Sequence, residues 1–63
     1  MLKTRIILAE YYIKQNNYSE AIKTLKEGLK ESPKDAVIFN LMGAAYIGNK
    51  DLENAVKYFE KAI

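Results

Sequence analysis

Residues 8–12 read LAEYY and residues 42–46 read MGAAY, so an apolar residue, a small residue and a tyrosine recur in the same order. The displacement that carries residue 8 onto residue 42, here called the repeat shift, aligns four further pairs of like residues: Ala21 with Ala55, Ile22 with Val56, Lys23 with Lys57 and Leu25 with Phe59. Agreement at one spacing over so many positions indicates an internal repeat. We therefore predict a single domain, residues 1–63, with a full repeat at 2–35 and a truncated repeat at 36–63.

Each repeat carries two helical patterns, because its apolar residues recur at spacings of three and four. The first repeat shows both, with one pattern at Ile6, Ala9 and Ile13 and the other at Tyr18, Ala21, Ile22, Leu25 and Leu29. No alternation typical of a β-strand competes with them. The sequence predicts four helices at roughly 2–15, 18–31, 36–48 and 52–62.

The breaks between the helices have the residues expected of turns and caps. Asn16 suits a left-handed residue, and Asn17 with Glu20 three residues later suits a capping box. Asp51 is the predicted cap at the matching break of the second repeat. Pro33 separates the repeats, since proline cannot continue a helix.

These residues resemble the tetratricopeptide repeat, a unit of about 34 residues with small and aromatic residues at fixed positions on two helices. The residues that carry the resemblance are Leu8, Ala9, Tyr12, Ala21, Leu25 and Pro33 in the first repeat, and Phe39, Met42, Gly43, Tyr46, Ala55, Phe59 and Ala62 in the second. The resemblance implies an all-α fold, an α-solenoid of two helix–turn–helix repeats. Its four antiparallel helices would form a right-handed superhelical stack, with α-helical stripes at positions 5, 8, 9, 12 and 39, 42, 43, 46 packed inside.

Two residues depart from the family pattern. Arg5 stands where an aromatic residue is usual, which we attribute to the absence of a preceding repeat to cover it. Gly28 stands inside a helix where alanine is usual, at a cost of about 1 kcal/mol relative to alanine. Gly28 either permits closer packing on the third helix or is a defect without a role.

The resemblance also implies a concave groove lined by the first helix of each repeat. Carried over position by position, the peptide-binding groove would be formed by Lys3, Ile6, Glu10, Ile13, Lys14, Val37, Asn40, Ala44 and Ile47. The steps of three, four and three within this set independently place its members on one helix face. Its apolar residues predict an interaction surface if they are exposed. The alternative is that the groove is narrow and these residues pack on each other.

We expect a non-catalytic scaffold that binds a protein or peptide, with an apolar or mixed peptide or an amphipathic helix as the ligand. Some proteins of the resembled family clamp acidic C-terminal tails with lysine and asparagine on the first helix. Ile6 and Glu10 stand at those positions here, and Glu10 would repel a carboxylate. No cofactor is expected.

Other classes of function are less well supported by the sequence. Cysteine and histidine are absent, which excludes disulfides and thiol or imidazole chemistry, and the remaining carboxylates are scattered. Lys23, Lys26 and Lys30 could form an anion or nucleic-acid patch, but interleaved glutamates favour a solvated face. RNA-binding pentatricopeptide-type repeats would need polar base-reading residues, and Ile6 stands at one such position. The net charge is only +2, and no apolar run approaches a membrane span, so we expect a cytoplasmic protein that binds neither nucleic acid nor membrane.

The C-terminal helix gives the alternative function, a self-assembly element. The sequence stops at Ile63 with no further helix to cover the apolar set Val56, Phe59, Ala62 and Ile63. Exposed apolar surface is unfavourable in water, so we expect self-association through these residues. Head-to-tail stacking is one form this could take, mildly favoured by net charges of +3 on residues 1–34 and −1 on residues 35–63. Because head-to-tail contacts do not close, the expected homo-oligomer is a dimer, isologous or formed by exchange of repeats through residues 32–36.

Overall fold

The computed structural model describes residues 2–63 and contains four helices there: α1 (Leu2–Lys14), α2 (Tyr18–Glu31), α3 (Ala36–Gly48) and α4 (Leu52–Ala62). The predicted boundaries differ from these only at the end of α1, by one residue. No strand occurs among the described residues, so the all-α fold of two helix–turn–helix repeats is confirmed. Met1, which the predicted domain includes, lies outside the described residues.

The turns inside the two repeats have the same backbone geometry. Asn16 and Lys50 are left-handed, with φ of 59° and 61°, and they lie at equivalent positions. The N–H groups that follow, of Asn17 and Asp51, each donate at 2.8 Å to the carbonyl of a helical tyrosine five residues back. This arrangement satisfies carbonyls at the end of the preceding helix and reverses the chain. The left-handed residue predicted at Asn16 is therefore confirmed.

The helix caps differ between the repeats. The carboxylate of Asp51 accepts from Asn54 N–H at 3.3 Å and from the Asn54 side-chain amide at 2.8 Å, which confirms the predicted cap. Asn17 makes no side-chain cap bond, so the predicted capping box is wrong. Glu20 occupies the position equivalent to Asn54 and, as a carboxylate, has no proton to donate to Asn17. Glu20 therefore cannot give the Asn17 side chain the hydrogen bond that the Asn54 amide donates to the Asp51 carboxylate.

Helix α3 lies at the centre of the fold, packed against α4, α2 and α1. Asn40 is its only polar residue apart from Tyr46, and an apolar helix of this kind is typically buried on more than one side. The predicted stripe at 39, 42, 43 and 46 is buried, and so are Ile38 and Ala45, which the sequence analysis did not place. The fully buried side chains with the largest volumes are Leu25, Ile38 and Met42. The core is therefore centred where the two repeats meet.

The predicted packing stripe of α1 is only partly correct. Ala9 is buried and Tyr12 is half-buried, but Leu8 is 41% exposed whereas its equivalent Met42 is 0% exposed. Helix α1 has fewer neighbouring helices than α3, which packs against α4, α2 and α1. Family position alone therefore does not decide burial in this chain.

Arg5 has charged partners inside its own repeat. Its side chain reaches α2 of its own repeat, with Arg5 Nε 2.9 Å from Glu31 Oε2 and Nη1 3.8 Å from Glu27 Oε2. The Nε atom is shielded from water and is not aligned on an acceptor as a hydrogen bond, but the close carboxylate offsets its charge. Two glutamates of α2 thus accommodate a cation where the second repeat buries Phe39.

Glycines mark two close approaches between helices. A Cβ atom built on Gly43 would lie 2.6 Å from the ring of Phe59 on α4, so the ring packs directly on the backbone of α3. A Cβ built on Gly28 would lie 3.2 Å from Ile38 Cδ1 on α3 and 3.3 Å from Leu2 Cδ1 on α1. Gly28 is buried at this junction, which supports its role in close packing on α3.

Candidate functional site

The predicted groove residues lie on α1 and α3, which are direct neighbours in the structure. On α3, Val37 is 54% exposed and Ile47 is 49% exposed, so their side chains are available to a ligand. On α1, Ile6 and Ile13 are partly buried and pack against the core cluster. The remaining members are exposed: Lys3, Glu10, Lys14, Asn40 and Ala44.

The apolar content of the groove is therefore unequal between the two helices. The alternative, that groove residues pack inward, applies in part to Ile6 and Ile13 but not to Val37 and Ile47. The two helices differ in their neighbours. Helix α1 packs mainly against α2, and its Ile6 and Ile13 side chains contact the core. The accessible apolar surface of the groove is concentrated on α3.

Both ends of α3 are fixed by specific contacts. The Asp35 carboxylate accepts from the N–H groups of Val37 at 2.9 Å and Ile38 at 3.3 Å. At the other end, the ring of Tyr18 packs against the backbone of Gly48, where a Cβ atom would overlap the ring. These contacts set the position of α3 and, with it, the positions of Val37 and Ile47. An aspartate immediately before an apolar run was a readable signal for the first of them.

Two shallow depressions lie beside these helices. One, of about 250 Å³, is lined by Ile7, Glu10, Tyr11 and Lys14 on α1. It includes two predicted groove residues together with Ile7 and Tyr11, which the groove prediction did not include. The other, of about 480 Å³, lies on α2 and is lined by Ser19, Ile22, Lys23, Lys26, Glu27 and Lys30. Each depression is formed by side chains of a single helix, so both follow side-chain lengths and not the arrangement of the repeats.

The lysine side of α2 is partly neutralised. Lys30 Nζ lies 3.7 Å from Glu27 Oε2, and the same carboxylate oxygen lies 3.8 Å from Arg5. Glu27 thus separates the lysines electrostatically, which favours a solvated face over a continuous anion site. Among the described residues, no helix is long and apolar enough to cross a membrane.

Large apolar side chains are also exposed on the two outer faces of the stack. On α1 they are Ile7, Leu8 and Tyr11; at the α4 end they are Leu52, Val56 and Ile63. Of the predicted self-association set, Val56 and Ile63 are exposed, while Phe59 and Ala62 are partly buried and Phe59 packs against Gly43. Sequence reasoning missed Ile7 and Leu52, although the repeat shift pairs Leu52 with Tyr18, which is covered by α3.

Comparison with known families agrees with this architecture. A family model described as TPR repeat matches residues 9–50, which include the end of the first repeat's α1, all of α2 and the whole of α3. The chain belongs to the tetratricopeptide-repeat (TPR) family. TPR repeats are in general non-catalytic modules that bind other proteins, often through an extended concave surface.

The chain is also similar to a curated TPR-containing relative. It is 35% identical over 52 residues to the human protein named Superkiller complex protein 3. The match covers 82% of this chain but only 3% of that protein, so the likeness concerns the repeats and not the whole relative. No solved structure gives a significant match.

Proposed function

We propose that this TPR chain binds a peptide or a helix of another protein along the groove formed by α1 and α3. The observation that carries the proposal is the exposure of Val37 and Ile47 on α3, which the packing of the core does not require. Exposed apolar residues on one face of a central helix are typical of an interaction surface. The neighbouring polar contacts would come from Lys3, Glu10, Lys14 and Asn40.

The chemistry of the groove favours an apolar or mixed ligand. Glu10 and Ile6 replace the cation and amide that a clamp for an acidic tail would use, and Glu10 would repel a carboxylate. An amphipathic helix can lay its apolar face along this side of α3, where Val37 and Ile47 lie about 15 Å apart. Two repeats offer less surface than a standard interface, so the dissociation constant is expected on the order of micromolar or weaker.

The test uses short synthetic peptides of three kinds: an amphipathic helix, an extended mixed sequence and an acidic sequence with a free C-terminal carboxylate. Amide chemical shifts of the labelled chain should move mainly on α1 and α3 with the first kind, and least with the acidic peptide. Shifts that concentrate on α2 and α4 would contradict the groove.

The Val37→Ser, Ile47→Ser double variant should weaken binding at least about tenfold, since two apolar contacts are removed. Both side chains are already about half exposed, so its melting temperature should change little. Lys26→Ser, on α2 outside the groove, is the control and should bind as the parent does. Unfolding of the double variant would show that Val37 and Ile47 are needed by the core.

A further inference from the structure

We propose that copies of this chain stack head to tail, with the outer face of α4 of one copy docked on the outer face of α1 of the next. The outer α4 face consists of Leu52, Val56, Phe59, Ala62 and Ile63. The outer α1 face consists of Thr4, Ile7, Leu8, Tyr11 and Lys14. The proposal concerns the two ends of the stack; Lys14 is shared with the groove, and the other residues of both faces lie outside the groove.

The template for this contact is already present inside the molecule. Helix α2 packs on α3 where the first repeat meets the second. The repeat shift converts α2 into α4 and α1 into α3, so the two outer faces are the equivalents of surfaces that already fit together. Burial shows the difference between them: Ile22 on α2 is 9% exposed, whereas its equivalent Val56 on α4 is 57% exposed.

Residue sizes at one internal contact between α2 and α3 are exchanged in a way that preserves the fit. Gly28 packs against Ile38, where a Cβ atom would lie 3.2 Å from Ile38 Cδ1. The equivalent pair between copies is Ala62 with Thr4. Alanine adds that Cβ atom, and threonine lacks the Cδ1 atom that would have to shift slightly to make room for it. The gain in size on one face is therefore matched by a loss on the other.

A second internal contact shows the same exchange. The ring of Tyr18 covers the backbone of Gly48, which leaves no room for a side chain there. The equivalent pair between copies is Leu52 with Lys14. Leucine lacks the ring, and the aliphatic stem of the lysine can occupy the space while its ammonium reaches water. Two independent contacts thus point to the same occupant, the α1 face of a second copy.

Two residues of the α1 face are larger than their equivalents on α3: Lys14 stands at the position of Gly48, and Tyr11 at that of Ala45, which is fully buried. The Tyr11 ring packs beside Tyr12, with 6.0 Å between centroids, and it lines the depression of about 250 Å³ on α1. Together with the exposed Leu8 and Ile7 it adds apolar surface that the docked α4 would cover. Because this contact joins two different faces, it leaves one free face at each end and propagates as an open stack.

The test measures the mass of the whole chain by sedimentation velocity across a concentration series. The parent, a 7.2 kDa chain, should reach at least about twice its monomer mass at roughly millimolar concentration, in line with a small interface. Leu8→Glu on the α1 face and Val56→Glu on the α4 face should each remain monomeric. Circular dichroism checks that both variants stay helical. Ser19→Glu adds the same charge on α2, at the position where the second repeat has Glu53, and should associate as the parent does.

The decisive measurement mixes the two monomeric variants. Each retains one intact face, so the mixture should form a dimer of one Leu8→Glu copy and one Val56→Glu copy, and nothing larger. An isologous contact through α4 would leave the Leu8→Glu variant dimeric by itself, and exchange of repeats would leave both variants dimeric. Either result, or a parent that stays monomeric at millimolar concentration, would overturn the proposal.

Discussion

Helices α1 and α3 occupy equivalent places in the two repeats, yet they are used differently. Helix α3 packs against α4, α2 and α1 and buries Ile38, Met42 and Ala45. The equivalent positions of α1 carry Thr4, Leu8 and Tyr11, all of them exposed. In a stacked repeat, burial therefore depends on whether a neighbouring helix is present, and family position sets only which side can be covered.

Truncation of the two equivalent apolar residues should give the largest difference in stability. Met42→Ala removes a fully buried side chain and should cost about 2–5 kcal/mol in the free energy of unfolding. Leu8→Ala removes a side chain that is already partly in water and should cost about 1 kcal/mol or less. Urea unfolding followed by circular dichroism measures both.

A domain of this size has little stability to lose, and a Met42→Ala variant that is already unfolded in water would give no unfolding curve. In that case the milder variant Met42→Val, and refolding of Met42→Ala with trimethylamine oxide, give the loss of unfolding free energy at position 42 for comparison with Leu8→Ala. Equal losses at positions 8 and 42 would show that the α1 face is covered in solution, and the dependence of the Leu8→Ala loss on protein concentration would identify another copy as the cover.

The fold was predictable because the strongest signals are local or periodic. The repeat shift, Pro33 between the repeats and the asparagine at the first turn set all four helices within a residue of their observed bounds. Burial was less predictable, because it depends on neighbours that the repeat pattern does not specify. Leu8 matched the family and is exposed, while Ile38 matched no family position and is fully buried.

The candidate site was predictable only in outline. The pattern placed Val37 and Ile47 on the same helix face as Asn40, and both are exposed. It also predicted Ile6 and Ile13 as groove residues, but their side chains pack against the core, because α1 has fewer neighbouring helices than α3. The ion pairs of Arg5 with α2 were also predictable, because glutamates at the end of α2 offer partners for the cation.

Glycine-to-alanine substitutions sharpen the comparison at the helix contacts, because each installs the residue that the other repeat has. Gly43→Ala, matching Ala9, forces the Phe59 ring outward, a cost of about 1–3 kcal/mol that outweighs the helix gain of about 1 kcal/mol. Gly28→Ala, matching Ala62, meets only the ends of two flexible side chains and should be neutral within about 1 kcal/mol. Thermal unfolding at fixed concentration measures the two. A Gly28→Ala loss as large as that of Gly43→Ala would mean that Ile38 and Leu2 cannot yield.

The smallest expected difference concerns the caps of the second helices, Asn17 and Asp51, which are also equivalent. Asp51→Ala should cost about 1 kcal/mol, because it removes the acceptor for the Asn54 N–H and its side-chain amide. Asn17→Ala should cost no more than a few tenths of a kcal/mol, since the side chain makes no cap bond. Urea midpoints of the two variants give the difference.

The cap difference can also be reversed, which tests its cause and not only its size. Asn17→Asp alone should gain little, because Glu20 has no proton to donate and repels the new carboxylate. The double variant Asn17→Asp, Glu20→Asn reproduces the Asp51 and Asn54 pair in the first repeat and should stabilise it by about 0.5–1 kcal/mol. A gain from Asn17→Asp alone as large as that of the double variant would show that the aspartate suffices and that Asn54 does not hold the cap. A cost of Asn17→Ala equal to that of Asp51→Ala would show that Asn17 caps α2 in solution, and the two repeats would then begin their second helices in the same way.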